Sequence, residues 1–118
     1  MKNMVRIYHN PRCSKSRETL ALLQQQGIEP QVVLYLDTPP DIDTLKTLLQ
    51  QLGMHSAREL MRRGEEIYKT LGLASNDLSE QQLLQAMVEH PKLIERPIVI
   101  KGDRARIGRP PEAVLEIL

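Results

Sequence analysis

The segment around the single cysteine reads Tyr8-His9-Asn10-Pro11-Arg12-Cys13-Ser14-Lys15-Ser16-Arg17, and a different secondary structure is predicted on each side of it. Residues 4–8 are mostly apolar and typical of a strand, whereas residues 18–23 are typical of a helix. Cys13 is therefore predicted in a loop that opens a helix. The free N–H groups of a first helical turn and the helix dipole favour an anion there, and a thiolate over a thiol.

The composition limits the classes of function. Of 118 residues, 41% are hydrophobic and 26% charged, which is ordinary for one globular domain. A net charge of +1 and the absence of Phe and Trp argue against nucleic acid as a partner. No run reaches transmembrane length and no secretory leader is recognised, so a cytoplasmic protein without membrane contact is expected. No metal site is expected, because His9, His55 and His90 lie far apart and near no second cysteine.

The first third of the chain predicts a βαβ unit. A strand over residues 4–8, a helix over about 14–26 and an apolar strand over 31–36 follow one another, so the two strands should be parallel. This places the cysteine loop at the carboxyl end of the first strand, where open α/β sheets bind their ligands.

A block of three or four helices is predicted over about residues 38–95. Thr38 is expected to cap the first of these helices. A short helix is expected to begin at a capping box at Ser56 and to end at Gly64, with Arg62 and Arg63 in its last turn. The block is long enough to contribute to a site as a lid rather than only to connect two strands.

The last part of the chain predicts a ββα half. Strands over residues 97–100 and 104–107 are joined by a Gly102-Asp103 turn, and Pro110 opens a final helix. With the helical block removed, the order is βαβ-ββα. We therefore predict an α/β fold: a thioredoxin-like four-stranded mixed sheet with a helical insertion between its halves. Residues 1–118 are assigned to one domain.

Three arginines are candidates to join Cys13 in a site. In a thioredoxin-like sheet, Pro97 is expected in cis and facing the cysteine, with Arg96 beside it. Arg109 follows the last strand, and a lid helix could bring Arg62 onto the cysteine. Each arginine is otherwise a surface charge. A thiolate with three guanidinium groups suits a tetrahedral oxyanion such as phosphate, sulfate or arsenate.

Polar residues near Cys13 have two interpretations each. His9 either holds the thiolate or is a polar residue at a strand end. Ser16 either donates a hydrogen bond to the thiolate or caps the helix. Arg17 adds positive charge, but only three residues separate it from Cys13, whereas cysteine phosphatases place five before their loop arginine. The spacing argues against a phosphatase.

The residues that carry a family resemblance are four short motifs spread over the chain. The chain closely resembles the glutaredoxin-linked arsenate reductase family of bacteria, and most its short arsenate-reductase-like members, through His9-Asn10-Pro11-Xaa-Cys13-Xaa-Xaa-Ser16-Arg17, Leu34-Tyr35-Leu36-Xaa-Xaa-Pro39-Pro40, Arg96-Pro97-Ile98-Val99 and Arg109-Pro110. The resemblance implies that Cys13 is the nucleophile and that Arg62, Arg96 and Arg109 bind the oxyanion, with Arg63 as the neighbouring candidate for the first arginine.

The resemblance also implies a reaction and its partners. Cys13 attacks arsenate, glutathione attacks the arsenic ester as a co-substrate, and glutaredoxin reduces the mixed species so that arsenite leaves. No bound cofactor is implied, and a monomer is expected. The chain departs from the family pattern at Arg12 and Lys15, where small residues are common, and it ends at Leu118 without the extension of longer members.

Two other functions remain open at this point. One is a monothiol, glutathione-dependent thiol–disulfide oxidoreductase, which does not need three arginines. The other is a non-catalytic role like that of the Spx-type regulators, which share the predicted fold and bind RNA polymerase. Those regulators usually carry a Cys-Xaa-Xaa-Cys switch. Ser16 occupies the second position here, so a self-contained disulfide switch is excluded.

Overall fold

Four short strands form a mixed sheet in the computed structural model, which describes residues 4–118. They are β1 (Val5–Tyr8), β2 (Gln31–Val33), β3 (Ile98–Lys101) and β4 (Arg104–Ile107), in the spatial order β2-β1-β3-β4. β1 and β2 are parallel, whereas β3 is antiparallel to both β1 and β4. The predicted four-stranded mixed sheet of a thioredoxin-like fold is therefore confirmed.

The chain divides into two compact units. One unit contains residues 4–38 and Arg96–Leu118, which carry the sheet, and the other contains Pro39–Glu95, which is helical. The assignment of both units to one domain stays a prediction. The part of the chain that the structure describes has no helix that is both long and apolar enough to cross a membrane.

The sheet unit packs one face of the sheet against two helices. Alternate residues of a strand point to the same face, and Ile7 of β1 lies opposite Val99 of β3 on this face. They pack with Leu23 of α1 (Ser14–Gln25) and Val114 of a 3-10 helix (Pro111–Ile117), all with 0% exposure. Full burial of such side chains contributes about 1.5–3 kcal/mol each, so this cluster fixes α1 against the sheet.

The second strand is shorter than predicted. β2 ends at Val33, because the Leu34 carbonyl accepts hydrogen bonds from the N–H groups of Asp37 and Thr38 in a turn. Leu34 and Leu36 are 41% and 39% exposed. The prediction of an apolar strand to residue 36 was wrong, because β2 is an edge strand and its apolar run continues into this turn.

The helical unit contains α2 (Ile42–Leu52), a 3-10 helix (Ala57–Leu60), α3 (Glu66–Thr70), α4 (Glu80–Glu89) and a 3-10 turn (Pro91–Leu93). Asp41 caps α2 by accepting the Thr44 N–H, so Thr38 is not the cap. The hydrogen bond and the helix N-terminus favour its carboxylate, and the hydrogen bond lowers the pKa of Asp41.

The segment after Ser56 also differs from the prediction. The capping box is present, but the 3-10 helix ends at Leu60, and Met61 is extended and pairs with Ile94 in an isolated bridge. Arg62 and Arg63 therefore do not end a helix, and the prediction that they lie in its last turn was wrong. The strand-like bridge replaces the expected last turn up to Gly64.

Candidate active site

The topology of the sheet unit gathers four chain segments at one edge. The parallel strands β1 and β2 both end at this edge, whereas β3 begins there because it is antiparallel to β1. β4 runs antiparallel to β3 and so ends there too. The loops that follow β1, β2 and β4 and the residues that precede β3 are therefore neighbours, although they are far apart in sequence.

Cys13 lies at the first of these segments, at the N-cap position of α1, and is 9% exposed. Its N–H donates to the Asn10 carbonyl at 3.0 Å and its carbonyl accepts from the Arg17 N–H. The Asn10 side chain accepts from the Arg12 N–H at 3.0 Å, and Arg17 Nη1 donates to the Pro11 carbonyl at 2.9 Å. Arg17 lies in α1 and thus ties the cysteine loop to this helix.

Arg109, in the segment after β4, lies against Cys13. Its Nη2 lies 3.6 Å from Cys13 Sγ, and its Nε donates to the Arg96 carbonyl at 2.8 Å. The Arg96–Pro97 peptide bond is cis, as predicted, and so is the Arg109–Pro110 bond. The structure therefore brings Cys13, Arg109 and the Arg96 backbone together. A guanidinium at this place can share its donors between the sulfur and the oxygens of an approaching oxyanion.

Gly108 is a site residue that the sequence interpretation missed. A Cβ at this position would lie 2.5 Å from Thr19 Oγ1 and 2.8 Å from Pro97 Cγ. The Gly108 N–H donates to the Pro97 carbonyl at 2.9 Å. Only glycine at position 108 allows Thr19 of α1 and Pro97 to lie this close to the backbone that leads to Arg109. The available signal was a glycine directly between a strand and the Arg109-Pro110 pair.

His9 and Ser16 form a buried pair behind the loop. His9 Nδ1 lies 2.6 Å from Ser16 Oγ, which also accepts the Asn10 N–H at 3.0 Å. Burial, and secondarily the charge of Arg17, lowers the pKa of His9, which favours the neutral ring. One hydrogen bond joins Nδ1 and the Ser16 hydroxyl, and the tautomer of the neutral ring sets which of the two donates. The pair therefore joins the end of β1 to α1, and Ser16 lies inside α1 rather than at its N-cap.

Arg62 lies in the helical unit, where two carboxylates surround it. Its Nη1 is 2.6 Å from Glu65 Oε2 and its Nε is 3.7 Å from Glu95 Oε1. Its N–H donates to the Leu93 carbonyl at 2.7 Å. Arg63 is exposed. The role of Arg62 in binding an oxyanion stays a prediction, and within its own unit it ties the segment after the 3-10 helix to the segment before β3.

Residues 4–118 contain no group of three or more His, Cys, Asp or Glu side chains arranged to hold a metal ion. Around Cys13, the Arg109 guanidinium and the backbone amides at the start of α1 suit an anion.

Comparisons with known proteins extend over nearly the whole chain. Residues 8–117 match the ArsC family. The Escherichia coli (strain K12) protein YfgD, described as uncharacterized, is 65% identical over 100% of this chain and 99% of its own. An arsenate reductase of Haemophilus influenzae is 55% identical over 95% of this chain and 97% of its own. The solved structure of an arsenate reductase from Vibrio cholerae is 60% identical and superposes with a TM-score of 0.97, covering 100% of both chains. The chain therefore belongs to the ArsC family.

Proposed function

We propose that the protein reduces arsenate to arsenite, with Cys13 as the nucleophile and with glutathione and glutaredoxin as the electron donors. The observation that carries the proposal is the position of Arg109, whose Nη2 lies 3.6 Å from Cys13 Sγ while its Nε donates to the Arg96 carbonyl. A thiol with a guanidinium held against it is arranged for an oxyanion that must approach the sulfur. The relatives in Haemophilus influenzae and Vibrio cholerae, both named arsenate reductases, support arsenate as that oxyanion.

The first step is a condensation at arsenic. The Cys13 sulfur forms a bond to arsenic, and one oxygen of arsenate leaves as water after taking up a proton. Arsenic keeps its +5 state in this step. Arg109 and Arg96 neutralise the oxyanion, and Arg62 is the third arginine that the family resemblance implies for this role. Positioning and charge neutralisation are the contributions expected of the protein here.

The electrons come from two external thiols. Glutathione condenses at arsenic with loss of a second water, so that arsenic carries both sulfurs. The thiol of glutaredoxin then attacks the glutathione sulfur and forms a mixed disulfide, and the electron pair of the broken arsenic–sulfur bond stays on arsenic. Arsenic falls from +5 to +3, and water releases arsenous acid and the Cys13 thiol. The sequence has one cysteine, which is consistent with a cycle that takes its other thiols from outside.

The test is a coupled assay with arsenate, glutathione, glutaredoxin, glutathione reductase and NADPH, in which arsenite is measured directly. We expect arsenite formation that Cys13→Ser abolishes and that Arg109→Ala reduces. Arg104→Ala is the matched control, because Arg104 is an exposed arginine at the start of β4, at the opposite edge of the sheet. No arsenite from the unmodified protein, or an equal rate from Cys13→Ser, would refute the proposal.

A further inference from the structure

A second feature of the sheet edge is a cleft on the side of Cys13 away from Arg96 and Arg109. The cleft has a volume of about 440 Å³, and its walls include Asn10, Pro11 and Arg12 of the cysteine loop. The other wall is the turn after β2, with Leu34, Leu36 and Asp37. The volume lies within the range of about 300–1,000 Å³ typical of small-molecule sites.

The sheet order explains why this cleft is separate from the arginines. β1 lies between β2 and β3, so the cysteine loop after β1 has one flank toward β2 and the other toward β3 and β4. Arg96 precedes β3 and Arg109 follows β4, which places both on the second flank. The cleft therefore borders the cysteine loop on the flank opposite the two arginines, and its lining includes residues 9–12, which directly precede Cys13.

The side chains of the two walls favour a ligand that carries an anionic group and a cationic group with apolar carbon atoms between them. Arg12 and Asp37 are both exposed, and neither forms an ion pair with another of residues 4–118. On the wall that also carries Asp37, Leu34 is 41% exposed and Leu36 is 39% exposed. Arg12 would receive a carboxylate and Asp37 an ammonium group, while the leucines cover methylene groups.

We propose that this cleft binds the thiol co-substrate, a small zwitterionic peptide thiol of the glutathione class, and directs its sulfur to the arsenic atom held on Cys13. The inference rests on the proposed function for the reaction and extends it by a binding site. In the step served, the new bond is between the thiol sulfur and arsenic, and the thiol proton leaves with one arsenic-bound hydroxyl as water. Arg12 and Asp37 are then specificity residues for the thiol, not for the oxyanion.

The kinetic test compares two thiols. Removing one charged contact from a partly exposed site should raise the KM for glutathione about fivefold to tenfold, so Arg12→Ala and Asp37→Asn should each do this. Neither variant should change the KM for arsenate, or the rate with 2-mercaptoethanol, which carries no charge. Arg104→Ala and Asp103→Asn, which make the same charge changes at the hairpin turn of the opposite edge, should leave all three quantities unchanged. An unchanged KM for glutathione, or an equal loss with both thiols, would overturn the proposal.

A binding measurement separates this proposal from the proposed function. S-methylglutathione cannot react, so its binding to the full chain can be followed by amide chemical shifts even if arsenate is not the substrate. We expect shifts concentrated at residues 10–12 and 34–37 that Arg12→Ala and Asp37→Asn weaken. Binding without arsenite formation would keep the cleft and refute the reaction. Shifts confined to residues 96–109, or no saturable binding by a protein that does form arsenite, would refute the cleft alone.

Discussion

Replacing Gly108 with alanine tests whether close packing of α1 on the Pro97 segment builds the candidate site. The new Cβ would lie 2.5 Å from Thr19 Oγ1 and 2.8 Å from Pro97 Cγ. Both are far inside van der Waals contact. Thr19 is fully buried, and its hydroxyl donates to the Lys15 carbonyl at 2.8 Å. Neither the proline ring nor the branched threonine can turn away without losing contacts, so the backbone near Arg109 must shift.

The expected cost combines three terms. Overpacking of a well-packed interior costs about 1–3 kcal/mol. Rotation of Thr19 loses a buried hydrogen bond worth about 0.5–1.5 kcal/mol. Alanine lowers the conformational entropy of the unfolded chain, which offsets about 0.4–1 kcal/mol of this cost. The offset applies here because Gly108 does not occupy the left-handed region, so alanine can adopt its backbone conformation. The net result is a free energy of unfolding lower by about 2 kcal/mol.

Urea denaturation followed by far-UV circular dichroism measures this change, and the sequence contains no Trp that would serve as a fluorescence probe. Gly64→Ala is the matched control, because a Cβ there would have no atom of the described residues within 4 Å. Gly64 also lies outside the left-handed region. We expect Gly64→Ala to be neutral or slightly stabilising. If Gly108→Ala differs from it by less than about 0.5 kcal/mol, the close-packing argument is wrong.

A double-mutant cycle identifies the colliding partner. Thr19→Ala removes both threonine atoms that the new Cβ would meet and leaves Pro97 Cγ in place. In the Thr19→Ala background, Gly108→Ala should therefore cost less than in the native chain, with an interaction energy of about 1 kcal/mol. Additivity of the two changes would show that the threonine does not oppose the Cβ and that the cost arises elsewhere.

Three further variants test the groups around Cys13. Arg109→Lys keeps the charge but cannot reach both the sulfur and the Arg96 carbonyl, so kcat/KM for arsenate should fall about tenfold. Arg104→Lys should not change kcat/KM, and an equal value in both variants would contradict a role for the two contacts of the Arg109 guanidinium. Ser16→Ala removes the partner of His9 Nδ1 and should lower the free energy of unfolding by about 1–3 kcal/mol, whereas the exposed Ser14→Ala should have little effect in urea denaturation; equal midpoints would rule out the buried pair. Because the pKa of His9 is lowered in the folded protein, the unfolded chain takes up a proton first as the pH falls below about 6.5. Stability is then full above that pH and is lost below it, and His9→Gln should abolish this part of the loss between pH 7.5 and 5.5; an unchanged pH dependence would show that His9 is not desolvated.

The parts of the site that could be predicted from sequence are those fixed by local structure. A strand followed by an Asn10-Pro11 turn and a helical pattern locates Cys13 at a helix start, and the position of Pro97 at a strand start predicts its cis peptide bond. The capping box at Ser56 is also local, and it is present. Each of these predictions depends on neighbours within a few residues, where sequence patterns carry most of their information.

The parts that failed depend on contacts between distant segments. The helix expected to end at Gly64 stops at Leu60, because Met61 pairs with Ile94, more than thirty residues away in sequence. Arg62 then meets Glu65 and Glu95 rather than helix carbonyls. No spacing in the sequence announces such a bridge, since Met61 and Ile94 are ordinary apolar residues.

The sheet edge shows how one fold gives a single cysteine two separate flanks. The chain crosses this edge at four places, and β1 occupies a central position in the sheet. The loop after a central strand is the only kind that has neighbours on both flanks, so Cys13 can face Arg109 on one side while Arg12 faces the turn after β2 on the other. Gly108 allows the first flank to close tightly. The early end of β2 leaves the second flank open as the cleft. A longer β2, as the sequence pattern suggested, would extend the sheet through the place where Asp37 turns back, and the second flank would lose one wall.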